Sequence, residues 1–284
     1  MTIQVTPEEA VEQGRKWGAP GPLMPLSLEI EACETDENIA KNIRRVLERP
    51  YKPFNEWIVN PHEREVSICG FGPSLKRTWK QLRGEVWACN GAHNWLIEQG
   101  VIPKFAMFWD PIGAVAKFVK PHPDVTYMVA SRCHPSVFEA LEGYHYYVWH
   151  CAGDACIDGL LCEFKKAEPM LPGGTAAVTR AMVVVTTMGY RKINIFGGDG
   201  SFDGEFTHVR KSIVDEQAIE IWCGGKKFMS TAWLAGQAED FKILAPTLRE
   251  QGNEIVFYGD GLLPHVARIN GFAVHGTTSI EEKQ

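Results

Sequence analysis

From Val66 onward, short runs of apolar, β-forming residues alternate with segments of helical character. Continuous apolar strands separated by helices are typical of a parallel sheet whose two faces are both buried. The predicted strands are 66–70, 86–89, 105–109, 126–130, 146–150, 193–197 and 255–258. The predicted helices are 74–82, 92–99, 135–142, 174–188 and 231–251, the last kinked at Pro246. We therefore expect an α/β fold with a doubly wound, mostly parallel, Rossmann-like sheet.

Residues 1–64 differ from the rest of the chain, because they are rich in proline and charge and contain one predicted helix, at 37–48. We interpret them as an N-terminal extension packed on a single domain formed by residues 65–284. The first seventeen residues lack a positive region followed by an apolar core, so they do not predict a signal peptide. We expect a cytoplasmic protein that does not associate with a membrane.

The composition narrows the classes of partner. Hydrophobic residues make up 45% of the chain and the net charge is −6, so there is no basic field that would hold a nucleic acid. The eight cysteines form no CxxC pair, and several lie in apolar runs. We expect reduced thiols in the core rather than disulfides, and we predict no metal site. Oligomerisation is left open.

The stretch "ICGFGPSLKRTWKQL" (68–82) places a glycine-rich turn between the first strand and the first helix. Gly70 and Gly72 lie at the carboxyl end of the strand, where open parallel sheets bind ligands. Pro73 and Ser74 suit the first turn of a helix, whose free amides and dipole favour an anion. Glycines would let a phosphate approach those amides. The alternative is a tight turn with nothing bound, and the glycines alone do not decide between the two.

Polar residues also follow the next two strands. Asn90 and Gly91 come after the second strand, and Asp110 comes after the third. Because the carboxyl ends of parallel strands meet at one edge of a sheet, these residues are predicted to lie near Gly70 and Gly72. Asn and Asp also initiate turns without any ligand.

Two further segments are predicted to reach the same edge. Gly173, Gly174 and Thr175 open a predicted helix and would present a second cluster of amides. The strand 193–197 leads into "GGDGSFDGEFTH", which carries Asp199 and His208. A carboxylate near a histidine can form a general base, since the pKa of histidine is ordinarily close to neutrality. A solvated Gly/Asp-rich loop is the alternative.

Taken together and in this order, these stretches resemble the 6-hydroxymethylpterin diphosphokinase-like family, which includes motility-associated flagellin glycosyltransferases. The "GxGPSL" and "CN" motifs are also similar to those of bacterial sialyltransferases of the Campylobacter type. The resemblance covers about residues 64–260. It implies a phosphate-cradling loop at Gly70, Gly72, Pro73 and Ser74, a nucleotide contact at Asn90, and a general base near His208. It also implies that Gly173, Gly174 and Thr175 face phosphate or the transferred group.

The chain departs from both patterns at informative positions. Phe71 stands where the sialyltransferases have an asparagine, which bears on base recognition. Asn90 and the "WDP" segment leave Asp110 as the one matching carboxylate among those that hold magnesium in the diphosphokinases.

The resemblance implies a transferase, and we expect a glycosyltransferase with a small-molecule nucleotide sugar as donor. His208 and Asp199 are the predicted catalytic residues. The predicted nucleotide-binding residues are Gly70, Gly72, Pro73, Ser74, Asn90, Gly91, Asp110, Gly173, Gly174 and Thr175. The alternatives are an ATP-dependent diphosphokinase, which would need Mg²⁺, and a catalytically silent nucleotide-binding protein.

Overall fold

The computed structural model describes residues 33–210 and 217–276. Ten strands form one sheet: β1 (Lys52–Pro53), β2 (His62–Cys69), β3 (Glu85–Cys89), β4 (Phe105–Phe108), β5 (Thr126–Ala130), β6 (Tyr146–Cys151), β7 (Met170–Leu171), β8 (Tyr190–Phe196), β11 (Glu254–Tyr258) and β12 (Ala273–His275). A separate antiparallel hairpin contains β9 (Ile219–Cys223) and β10 (Lys226–Ser230). The helices are α1 (Asp36–Leu47), α2 (Leu75–Thr78), α3 (Ala92–Glu98), α4 (Pro135–Ala140), α5 (Ile157–Glu163), α6 (Ala177–Thr187), α7 (Ala232–Glu250) and α8 (Leu262–Ile269).

The strand order explains where a ligand can enter. Along the sheet the strands run β1-β6-β5-β4-β3-β2-β8-β11-β12, with β7 pairing to β6, and every pair is parallel. The chain winds outward from β2 to β6, then crosses back to β8 on the other side of β2 and continues outward to β12. The order therefore reverses between β2 and β8. Such a reversal opens a crevice at the carboxyl ends of the strands. The predicted doubly wound α/β fold is confirmed.

The core lies on both faces of the central strands. Ile68, Trp87 and Phe105 on neighbouring strands are fully or almost fully buried, as expected for continuous apolar strands covered by helices. Helix α6 has buried residues around most of its circumference, including Val184, because it crosses β2, β3 and β4. A helix that is apolar all round belongs in a core.

Several elements were not predicted. Strands β1 and β7 have two residues each and carry no periodic signal. The hairpin of β9 and β10 was missed although its strands alternate apolar and polar residues around a Gly-Gly turn, which is a hairpin pattern. Helix α6 begins at Ala177, not at 174 as predicted, because Ala176 has extended backbone. Helices α5 and α8 and strand β12 were also not predicted.

The N-terminal segment is integrated with the edge of the sheet. Ile39, Ile43 and Leu47 of α1 pack against α5, and β1 pairs with β6. The side chain of Asn42 donates to the carbonyls of Pro111 (3.2 Å) and Arg132 (3.1 Å), so α1 lies over the loops that follow β4 and β5. The eight cysteines are free thiols. Within the described ranges, no helix is both long and apolar enough to span a bilayer.

Candidate active site

The loop after β2 packs directly on the loop after β8, at the point where the strand order reverses. The Gly70 amide donates to the carbonyl of Phe196 and the Gly72 amide to that of Gly197, both at 2.8 Å. A Cβ added at Gly70 would lie 2.5 Å from the carbonyl oxygen of Gly197, so the two backbones approach more closely than a side chain allows. These glycines are needed for the packing of the two loops, and both amides are already bonded within the protein. Their predicted role in phosphate binding stays a prediction.

Asp199 is the polar centre of this packed junction. Its side chain is buried, and its Oδ2 accepts a hydrogen bond of 2.8 Å from the amide of Ser74, at the start of α2. The same oxygen would lie 2.4 Å from a Cβ added at Gly72. Burial raises the pKa of Asp199 to about 6, and the bond from Ser74 opposes that rise. A carboxylate of the protein therefore lies at the helix start where the sequence predicted a bound anion.

Asn90 and Asp110 meet as predicted at the ends of β3 and β4. The Nδ2 of Asn90 donates to the Oδ2 of Asp110 at 2.6 Å, and the Asn90 amide donates to the carbonyl of Met107. Asn90 has a φ of 46°, a left-handed conformation that asparagine adopts more readily than most residues. Burial raises the pKa of Asp110 to about 6, with Asn90 and then Arg132 opposing the rise. The Oδ1 of Asn90 is buried and has no hydrogen-bond partner within residues 33–210 and 217–276, which leaves an acceptor for a ligand.

His208 lies beside the glycine loop. The amide of Val209 donates to the carbonyl of Phe71 at 2.8 Å, and the rings of Phe71 and His208 are 5.8 Å apart. The Phe71 ring in turn covers Gly91, where an added Cβ would lie 2.7 Å from the ring. His208 Nδ1 is 2.9 Å from Thr207 Oγ1. Phe71 thus links the predicted base to the loop that carries Asn90 and Gly91.

The loop between Asp199 and His208 is fastened to its surroundings at three places. Asp203 pairs with Arg77 at 2.5 Å, and the ammonium of Lys76 lies 4.4 Å from the centre of the Phe206 ring. The amide of Phe202 donates to the carbonyl of Met229 in β10. Helix α2 and the hairpin of β9 and β10 therefore both hold this loop in place.

The segment 173–175 is bonded to α7. The amide and the hydroxyl of Thr175 both donate to Oδ2 of Asp240, at 2.6 and 2.7 Å. A Cβ at Gly174 would lie 2.3 Å from the same oxygen, and Gly173 has a φ of 151°. Because α6 begins at Ala177, these residues form the loop before the helix and not its first turn. The expectation that they open the helix is wrong, and their contact with phosphate stays a prediction.

A cluster that the sequence analysis did not identify lies farther along the same edge. Trp109 follows β4, Arg132 follows β5, Asp154 follows β6, and Arg180 comes from the first turn of α6. Arg132 pairs with Asp154 at 2.8 Å, and the side chains of both are largely buried. Arg180 is the single charged residue in the sequence 176–188, and this isolated charge could have indicated the cluster from the sequence.

The oxygen ligands available to a magnesium ion in the crevice are few. Asp110 and Asn90 offer oxygens at one point, while the Oδ2 of Asp199 is bonded to the Ser74 amide. In residues 33–210 and 217–276, no three His, Cys, Asp or Glu side chains are grouped so that they could hold a metal. The side chains present therefore do not form a preassembled magnesium site of the kind that the diphosphokinase alternative requires.

Comparison with known proteins agrees with this architecture. The MAf glycosyltransferase from Magnetospirillum magneticum AMB-1 has a similar structure, with a TM-score of 0.60 at 14% identity, covering 87% of this chain and 39% of that chain. A mammalian sialyltransferase, crystallised with Gal-beta-1-3GalNAc-ortho-nitrophenol, aligns at a TM-score of 0.40 and 13% identity, over 79% of this chain and 87% of that chain. This chain thus spans about two fifths of the MAf protein, and the likeness to that protein shows a shared fold. The curated proteins contain no match.

A family model provides the assignment. The model described as 6-hydroxymethylpterin diphosphokinase MptE-like matches residues 37–205. This range is more than half of the chain and includes every predicted site residue except His208. The resemblance inferred from the motifs is confirmed: the chain belongs to the 6-hydroxymethylpterin diphosphokinase MptE-like family.

Proposed function

We propose that this protein is a glycosyltransferase that uses a nucleotide sugar as its donor. The observation that carries the proposal is the convergence of the Asn90–Asp110 pair and the Phe71–His208 contact beside the point where the strand order reverses. Open α/β sheets bind nucleotides in this crevice. The likeness of the fold to a protein named as a glycosyltransferase agrees with the proposal.

The donor would lie along the carboxyl ends of β2, β3 and β4. The unpartnered Oδ1 of Asn90 would accept a hydrogen bond from the nucleotide, which removes the penalty of a buried acceptor without a donor. Asp110, whose pKa is raised to about 6, would be mostly ionised at neutral pH and could accept from sugar hydroxyls. Gly91 has no side chain, which lets the Phe71 ring pack against the loop that carries Asn90.

His208 would act as the general base. In the reaction, the acceptor hydroxyl loses its proton to the imidazole while its oxygen bonds to the anomeric carbon of the donor. The bond from that carbon to the phosphate oxygen breaks, and the nucleotide leaves with the electron pair. We assign the role to His208 and not to Asp199, because the carboxylate of Asp199 is buried and bonded to the Ser74 amide. Asp199 would instead hold the two glycine loops together.

The location and partners follow from the same chemistry. The proposed donor is a small molecule, and the proposal requires neither a lipid nor a nucleic acid. We expect the protein to act in the cytoplasm, where its eight free cysteines would stay reduced.

A melting experiment with a panel of nucleotides and nucleotide sugars tests the proposal. A ligand at 100 times its dissociation constant adds about 2.7 kcal/mol to stability. For a chain of this size, that corresponds to a rise in Tm of roughly 5–10 °C. We expect a nucleotide sugar to raise the Tm equally with Mg²⁺ and with a chelator, and mass spectrometry to detect its slow hydrolysis.

Two other outcomes would contradict the proposal. A rise with ATP that requires Mg²⁺, without any rise from nucleotide sugars, would indicate the diphosphokinase reaction. The absence of a rise with every nucleotide and nucleotide sugar would leave a protein that kept the fold without the activity.

A further inference from the structure

Two arginines meet one indole ring at the end of the crevice beyond Asp110. The guanidinium carbon of Arg132 lies 5.0 Å from the centre of the Trp109 ring, and that of Arg180 lies 5.1 Å from it. Both distances are within the range of a cation–π contact. Trp109 and Arg180 are buried, and the side chain of Arg132 is 13% exposed. The three residues come from the segments after β4, after β5 and at the start of α6, so the fold brings them together at the carboxyl edge.

In the described part of the chain, Arg132 forms a contact ion pair with a carboxylate and Arg180 forms none. Asp154 forms the ion pair with Arg132, at 2.8 Å. Arg180 instead donates to neutral carbonyls, from Nε to Gly174 (2.6 Å) and from Nη1 to Leu171 (3.2 Å). Burial lowers the pKa of Arg180 from its usual value and the neighbouring Arg132 acts in the same direction, while Cys151, Asp154 and Asp240 oppose that change. A further anion beside this pair would be favourable, since a buried charge is otherwise costly.

An unused donor is also present. The Nε of Arg132 is buried and has no hydrogen-bond partner among the residues that the structure describes, although Nη1 of the same guanidinium is paired. Arginine presents its donors in a planar fork that matches two oxygens of a phosphate or a carboxylate. An oxyanion would therefore satisfy this donor.

The cluster is continuous with the proposed donor site. Arg180 bonds to the carbonyl of Gly174, next to Thr175, and Asp110 is the neighbour of Trp109 in the chain. Helix α1 contacts the Arg132 carbonyl through Asn42, so the N-terminal segment packs against this end of the crevice.

We propose that Arg132, Arg180 and Trp109 form an oxyanion-binding subsite, which takes a phosphate or carboxylate group at the far end of the crevice. This subsite rests on the proposed function, because the oxyanion would be part of the nucleotide sugar or of the acceptor. The binding of a simple oxyanion at the cluster does not depend on that function.

Equilibrium dialysis of the full chain with radiolabelled inorganic phosphate, at constant ionic strength set with chloride, tests the subsite. The double variant R132Q/D154N removes both charges of the ion pair together, so that neither is left buried without its partner, while Arg180 keeps its charge. We expect it to bind phosphate at least ten-fold more weakly than the wild-type chain. R249Q is the matched control, because Arg249 also lies over an aromatic ring, Phe272 at 4.0 Å, and donates to a carbonyl, that of Asn270. Its phosphate affinity should not change.

Glucuronate then distinguishes the two sources of the oxyanion. Displacement of phosphate from the wild-type chain by glucuronate would assign the subsite to a sugar carboxylate as well. Failure of glucuronate to displace phosphate would assign it to phosphate alone. If the double variant does not fold, R132K takes its place, since it keeps the charge beside Asp154 but loses the planar fork. It too should bind the oxyanion more weakly.

The subsite would be refuted if the wild-type chain showed no saturable binding of phosphate or glucuronate, or if a folded variant bound phosphate as tightly as the wild type. The melting experiment with nucleotide sugars gives a separate result. A phosphate affinity that falls in R132Q/D154N, in a chain whose Tm no nucleotide sugar raises, would retain the subsite and refute the glycosyltransferase. The converse result would retain the glycosyltransferase and refute the subsite.

Discussion

Replacing Asp199 with asparagine should stabilise this protein at neutral and alkaline pH, although the residue lies at the centre of the candidate site. The side chain is 5% exposed, and burial raises its pKa from 3.8 to about 6. Ionisation of this carboxyl therefore costs the folded state more than the unfolded chain. An asparagine of the same shape removes the charge, and its Oδ1 can still accept from the Ser74 amide.

The size of the effect follows from the pKa difference. A difference of about 2 units corresponds to roughly 3 kcal/mol, at about 1.4 kcal/mol for each unit. The new amide group loses its hydration on burial, which costs about 1 kcal/mol if it finds no acceptor. The net gain in the free energy of unfolding is about 2 kcal/mol, or a rise in Tm of roughly 4–8 °C.

The sign of the pH dependence follows from proton linkage. Between pH 4 and pH 6 the folded protein binds more protons at this site than the unfolded chain does, so wild-type stability falls as the pH rises through that window. Above pH 6 the ionisation of Asp199 lowers the stability of the wild type by its full amount, and below about pH 4 it no longer affects stability. Asp110 has a similarly raised pKa, so the wild-type profile contains both groups, and the difference from D199N isolates Asp199.

The assay is the Tm of wild type and D199N, measured by differential scanning fluorimetry from pH 4 to pH 8. The advantage of the variant should grow between pH 4 and pH 6 and then level off. D203N is the control, because Asp203 is exposed and pairs with Arg77 at the surface, and its Tm should stay close to that of the wild type. A D199N variant that melts below the wild type at pH 8 would refute the reasoning, since it would show that the folded state depends on the negative charge.

Three further expectations concern single residues. H208A should lower turnover by a factor of about 10² to 10⁴ and leave the dissociation constant of the nucleotide sugar unchanged, as single-turnover kinetics and calorimetry can show. G72A should lose about 3 kcal/mol in urea unfolding, because its Cβ would lie 2.4 Å from a carboxylate oxygen and 2.6 Å from a carbonyl. G159A should instead raise the free energy of unfolding by about 0.5–1 kcal/mol, because a Cβ at this position of α5 would meet no other atom. Equal effects of G72A and G159A would contradict the packing argument. Asp110 has a pKa of about 6, so the affinity of the protein for the nucleotide sugar should weaken as the pH falls through 6. In D110N this affinity should not change over the same pH range. An unchanged slope in D110N would remove Asp110 from donor binding.

The sheet was predictable because its signal is local. Each of the seven predicted strands appears as an apolar run followed by a turn, and parallel strands place those turns on one edge. That rule correctly brought Asn90 beside Asp110, twenty residues away in the chain. Among the elements that escaped prediction are the two-residue strands β1 and β7 and the edge strand β12, whose stability comes from neighbours in the fold and not from their own residues.

What occupies the glycine loops could not be predicted, because it depends on contacts between distant parts of the chain. The sequence marks two sets of amides, at 70–74 and at 173–175, as places for an anion. In the structure each set already meets a carboxylate of the protein, from Asp199 and from Asp240. A glycine-rich turn has the same pattern whether its amides bind a phosphate or an aspartate far away in the chain, since both supply acceptor oxygens with negative charge. Buried donors without such an internal partner, among them the Nε of Arg132, are therefore stronger indications of a ligand here than the glycine-rich turns at 70–74 and 173–175.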